Sequence, residues 1–175
     1  MPAVSEALLA PCLLFRGMSA TERKELVELM DHESFAAGST LIQEGRSTQM
    51  LWIILSGSCQ VLKHTKNGGE QELAILEKCG VFGEMSFFNP APHSASIRSI
   101  TAVEVLRLSR EKYDTLVETK TSSAQKLAFN TVAVLAERLR NMDNWTCDLV
   151  EKAEAGRHTD EWRDFRSKLY SDWQF

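Results

Sequence analysis

The sequence predicts a mainly β domain, an antiparallel sandwich or roll, bracketed by helices. Three observations predict it. Seven of the nine glycines fall between residues 38 and 83. Short apolar or alternating runs lie between them, at residues 40–43, 50–55, 59–64 and 72–76. Turn residues spaced roughly every 8–12 positions around short strands mark antiparallel β architecture. Helix-capping signals then stand on both sides of the glycine-rich stretch.

Taken in order, the first helix is announced by Ser19-Ala20-Thr21-Glu22. This is a capping box, in which the Ser19 hydroxyl takes the Glu22 amide and Glu22 reaches back. Leu26, Val27, Leu29 and Met30 supply its apolar stripe. Asn67-Gly68-Gly69 is a hairpin turn, since positive φ is cheap for Asn and Gly. Two strands rich in β-branched residues follow at 94–100 and 102–108. Ser109 caps a helix over 110–118. From residue 122 to about 150 the chain reads as one helix without Gly or Pro. Ala128, Val132, Leu135, Leu139, Met142, Thr146 and Leu149 follow a 4-3-4-3-4-3 spacing in it. That is a coiled-coil seam, with packing on the chain's own sheet as the alternative. In the tail, Gly156 stops this helix and Thr159 caps another. Trp162, Phe165, Leu169 and Trp173 line one face of it, an apolar surface that must dock.

Composition excludes several functions. The chain has 175 residues, 43% hydrophobic, with 20 Lys+Arg against 24 Asp+Glu. Phosphate-backbone binding needs clustered basic charge, so no nucleic-acid partner is expected. No apolar run reaches membrane-spanning length, and no basic residue precedes the apolar run at 7–15 as a signal peptide requires. Cys12, Cys59, Cys79 and Cys147 form no CxxC pair and read as reduced thiols of a cytoplasmic protein. His32, His64, His93 and His158 show no zinc spacing, so no metal is expected. No nucleophile elbow, His-Glu-x-x-His pair or P-loop occurs, so no enzyme is expected.

Chemistry concentrates in residues 79–96, a glycine turn, a short helical stretch, a Pro-containing loop and a strand start. Gly83 allows close backbone approach. The amides of Glu84, Met85 and Ser86 open the helical stretch and suit an anion. A carboxylate there, Glu84, suits a sugar hydroxyl rather than a phosphate. Phosphate on amides with ribose on Glu84 describes a nucleotide.

The chain resembles the cyclic nucleotide-binding domain of the catabolite activator and Fnr-type regulators over roughly residues 13–142. The matching pieces are residues 14–19, 38–45, 54–58, 81–86, 103–109 and 135–140. The resemblance implies an eight-stranded antiparallel β jelly roll with one helix before it and two after, the second long. It implies that Gly83 and Glu84 bind ribose and that the Met85 and Ser86 amides face the cyclic phosphate. It further implies that His93-Ser94-Ala95 stands where the family has Arg-Ser/Thr-Ala, with Val61 and Leu73 walling the pocket. The ligand expected is cyclic AMP or cyclic GMP.

One departure matters. His93 replaces the phosphate-gripping arginine, and a neutral imidazole offers one donor where guanidinium offers a permanent charge and a fork. Losing a charge-assisted contact costs on the order of 1.5–3 kcal/mol. Arg98, roughly 13 Å along the strand from Ser94, is too far to replace it. Gly83 and Glu84 as mere fold-formers, and His93 as a surface loop residue, are the plain alternatives.

The expected organisation is a cyclic nucleotide-binding domain over residues 1–150, including the helix 122–150, and an aromatic helical tail over 151–175. The tail holds no basic stripe and no room for a winged helix, so DNA reading is not expected. The expected function is a stand-alone sensor that binds nucleotide and signals through a homodimer, formed by helix 123–149, or through a protein partner. The alternative is a degenerate module that keeps the fold without the ligand.

Overall fold

The computed structural model describes residues 6–154 of the chain. Eight antiparallel strands form two four-stranded sheets. The strands are β1 (Asp31–Phe35), β2 (Thr40–Ile42), β3 (Met50–Ser56), β4 (Cys59–His64), β5 (Glu70–Leu76), β6 (Val81–Phe82), β7 (Ser96–Ser99) and β8 (Val103–Ser109). One sheet runs β1-β8-β3-β6 and the other β2-β7-β4-β5. This is the jelly roll with flanking helices that the resemblance implied. The helices are α1 (Glu6–Leu9), α2 (Ala20–Leu29), α3 (Glu84–Phe88), α4 (Arg110–Glu118) and α5 (Ser122–Glu154). The chain divides into two compact units, with the boundary between Val134 and Leu135, inside α5.

The apolar run of β3 explains the layering. Leu51, Ile53 and Leu55 bury on the helix-facing side, with Leu26, Phe87, Leu106, Leu108 and Leu127. Trp52 and Ile54, one residue out of phase, bury between the sheets with Ile42, Phe82, Ile97 and Val105. A period of two with both faces covered reads as unbroken hydrophobicity. Both predicted caps form: Ser19 and Glu22 exchange backbone contacts, and the Ser109 hydroxyl accepts from the Lys112 amide. The predicted turn forms too, with the Thr65 amide donating to the Gly69 carbonyl. Strands β1 and β6 carry no run long enough to be read alone; β1 is Asp-His-Glu-Ser-Phe and β6 has two residues.

The thiol expectation is corrected. Cys12 and Cys79 are joined, sulfur to sulfur, at 2.08 Å with Cα atoms 4.9 Å apart. They lie 67 residues apart in sequence, and the fold alone brings them together. Cys59 is a buried thiol and Cys147 an exposed one. The tail face of Trp162, Phe165, Leu169 and Trp173 lies outside the described residues.

Candidate ligand-binding site

The segment carrying Gly83 to Ser86 is placed by β6 and held from two sides. Gly83 has φ of +77°, a left-handed conformation that favours glycine. A Cβ there would collide with the Met50 carbonyl and lie 3.1 Å from Trp52 Cδ1. Gly83 is therefore required by the approach of α3 to β3, whatever binds beside it. Beyond it, Phe87 and Phe88 pack edge-on against the Tyr113 ring at 5.4 and 5.6 Å. Arg110 Nη1 donates to the Phe87 carbonyl at 3.1 Å. The site thus stands on β3 behind and on α4 below.

The structure brings Gly83, Glu84, Ser86 and His93 together, but inward. Glu84 is 4% exposed and Ser86 is buried. His93 is 6% exposed, so it is no surface loop residue. Its Nε2 lies 2.6 Å from Thr48 Oγ1 and its Nδ1 3.2 Å from Ser86 Oγ. A neutral imidazole has one donor and one acceptor nitrogen, and two hydroxyls satisfy both. Burial pushes the His93 pKa below its ordinary value. The backbone is clamped as well: the Gly45 amide donates to the His93 carbonyl at 2.9 Å, and the His93 amide to the Arg46 carbonyl at 2.8 Å.

Met85 and Ser94 remain exposed and Ala95 half-buried. Val61 packs against the inter-sheet cluster. Leu73 is exposed and is the extra residue of a β-bulge, where Val61 pairs with Ala74 and Leu62 with Glu72. Arg98 is committed elsewhere, forked onto the Glu70 carboxylate at 2.9 and 3.0 Å.

Sequence reasoning missed Thr48, Glu44 and Lys63. Thr48 lies 45 residues before its imidazole partner, and nothing in linear spacing links them. Glu44 gathers three donors: Lys63 Nζ at 2.6 Å, and the His64 amide and Nδ1, each at 2.9 Å. These donors, Lys63 foremost, pull the Glu44 pKa down to about 2. Lys63 Nζ also donates to the Ser94 carbonyl at 2.5 Å. A lysine alternating with Cys59 and Val61 along β4 was the available signal.

With this geometry in place, the comparisons agree with one another. The family model described as "Cyclic nucleotide-binding domain" matches residues 32–120, just over half of the chain. The chain belongs to the cyclic nucleotide-binding domain family. Within it, the chain is 28% identical over 152 residues to a CRP-like cAMP-activated global transcriptional regulator of Mycobacterium tuberculosis, covering 87% of this chain and 66% of that one. It is 31% identical over 142 residues to the cyclic AMP receptor protein of Thermus thermophilus, covering 81% and 63%. The crystal structure of the Thermus thermophilus catabolite activator protein superposes with a TM-score of 0.71 at 30% identity, covering 82% of this chain and 65% of that one. The chain thus spans just under two thirds of these relatives' lengths. Among the described residues no helix is long and apolar enough to cross a membrane, and no cluster of metal-ligating side chains occurs.

Proposed function

We propose that this chain is a regulatory sensor that binds cyclic AMP or cyclic GMP in the cytoplasm and signals through a homodimer or a protein partner, without catalysing a reaction. The observation carrying the reading is the family match over residues 32–120, a span that contains Gly83-Glu84 and Ser94-Ala95. Relatives whose names state activation by, or reception of, cyclic AMP support that ligand class. In the proposed complex Glu84 accepts from the ribose hydroxyl, and Ser94 with the Met85 and Ser86 amides holds the phosphate. Val61 and Leu73 flank the base.

A second reading has its own observation. His93 fills the space between Ser86 and Thr48 and engages both hydroxyls, and Glu84 is buried. A degenerate module using the fold as a scaffold for protein contacts would look this way. Thermal unfolding separates the two. Ligand at 100 times its dissociation constant stabilises the folded state by about 2.7 kcal/mol. The sensor reading expects a rise in Tm with one of the two nucleotides, lost in Glu84→Gln. An unchanged Tm at millimolar nucleotide supports the scaffold reading.

A further inference from the structure

The proposed phosphate site has lost its guanidinium, and the imidazole in its place is buried between two hydroxyls. A cyclic phosphate monoanion in such a roll still needs a counter-charge. Arg98 does not supply one: it pairs with Gln60, out of phase with inward-facing Cys59 and Val61, and is forked onto Glu70. Lys63 stands differently. Strand β4 keeps unbroken register with β7 from Cys59 to Leu62. Side chains alternate along a strand, so Lys63 shares the inner face with Cys59 and Val61, at the open end of the strand. Its ammonium group already touches the Ser94 carbonyl, and its side chain remains 44% exposed.

Resting on the nucleotide reading, we infer that Lys63 is the ligand-binding cation of this site, the ammonium that faces the cyclic phosphate in place of the missing guanidinium. Glu44 holds that ammonium beside Ser94 before ligand arrives, and the flexible lysine stem lets it swing from carboxylate to phosphate. A point charge on a flexible stem imposes no fork geometry.

Calorimetric titration of cyclic AMP and cyclic GMP into the wild type, Lys63→Met, Lys63→Arg, Glu44→Gln and Lys24→Ala tests this, with a thermal melt for each. Lys63→Met should weaken binding about ten- to hundredfold, the worth of one charge-assisted phosphate contact, and make affinity less sensitive to salt. Lys63→Arg should restore most of it. Glu44→Gln keeps the ammonium but loosens its hold, and should lose less affinity than Lys63→Met. Lys24→Ala, which removes an exposed lysine of α2 paired with Glu28, should bind as the wild type does. Wild-type affinity in Lys63→Met overturns the assignment of Lys63 alone. So does an equal loss in Glu44→Gln, which would make the pair a structural strut. A wild type that binds neither nucleotide overturns the nucleotide reading itself, and this assignment with it.

Discussion

At His93 one substitution changes the electrostatics of a whole site. Arginine would have carried a charge that needs an anion or water; histidine is satisfied by Thr48 and Ser86 and can be buried. Its cost appears at low pH. Burial holds its folded pKa below the unfolded value of about 6.5, so the unfolded chain binds the proton first. The stability it contributes is complete above about pH 6.5 and is lost as pH falls toward the folded pKa. Unfolding free energy measured by urea should therefore begin to fall just below pH 6.5, and His93→Gln should flatten that limb. An unchanged slope in His93→Gln would place the proton uptake elsewhere. Glu22 and Glu44, both drawn down to about 2 by lysine contacts and hydrogen bonds, act in a separate window. Their contributions hold above the ordinary carboxylate range and disappear as pH falls toward 2. The identity of residue 93 was plain in the sequence. Its burial was not, because Thr48 reaches it only through the loop that follows β2.

Among the elements, α5 shows why a stripe in a sequence can be read twice. Ser123, Ala124, Leu127, Asn130, Thr131 and Val134 are buried, and Asn130 donates to the Leu14 and Arg16 carbonyls at 2.9 Å each. That face docks on the chain's own first unit. The predicted seam is a different set: Ala128, Val132, Leu135, Leu139, Met142 and Thr146 are all exposed or half-buried, and the Leu149 side chain lies outside those described. Phe129, 76% exposed, and Trp145, 64% exposed, extend the apolar surface and were not in the predicted stripe. Heptad spacing marked a seam but not how wide the apolar surface is. If α5 forms the proposed homodimer, Val132→Lys and Leu139→Lys together should shift sedimentation equilibrium from dimer to monomer with the melt of the first unit unchanged. A wild type that sediments as a monomer at high micromolar concentration would remove the dimer from the proposal. The strands tell a similar story. Those with alternating or continuous apolar runs were legible to within about two residues. Strands β1 and β6 form because β8 and β3 present them with an edge to pair with.

For the whole molecule, the Cys12–Cys79 bond joins the segment before α2 to the turn before β6 and α3. Closing a loop of 67 residues is worth roughly 4 kcal/mol in the chain-entropy account, and measured disulfides fall at about 2–4 kcal/mol. Reduction, or Cys12→Ser with Cys79→Ser, should therefore lower Tm by several degrees or more. Equal melts with and without reductant would show that the bond contributes nothing to stability. Purified protein alkylated before and after reduction would count it directly by mass. Fold class was legible because glycine placement, strand period and caps all pointed one way. The disulfide and the Lys63–Glu44–Ser94 cluster were hidden because each joins segments about 20 to 67 residues apart.

On the proposed reading, the site takes a cyclic nucleotide although histidine stands at the arginine position. Calorimetric titration of the wild type and His93→Arg with cyclic AMP and with cyclic GMP tests it most directly. The wild type should show saturable one-to-one binding of one of the two nucleotides, and His93→Arg should bind it about one to two decades more tightly, the worth of the restored charge-assisted contact. Absence of binding heat in both proteins at millimolar nucleotide would rule out the nucleotide reading.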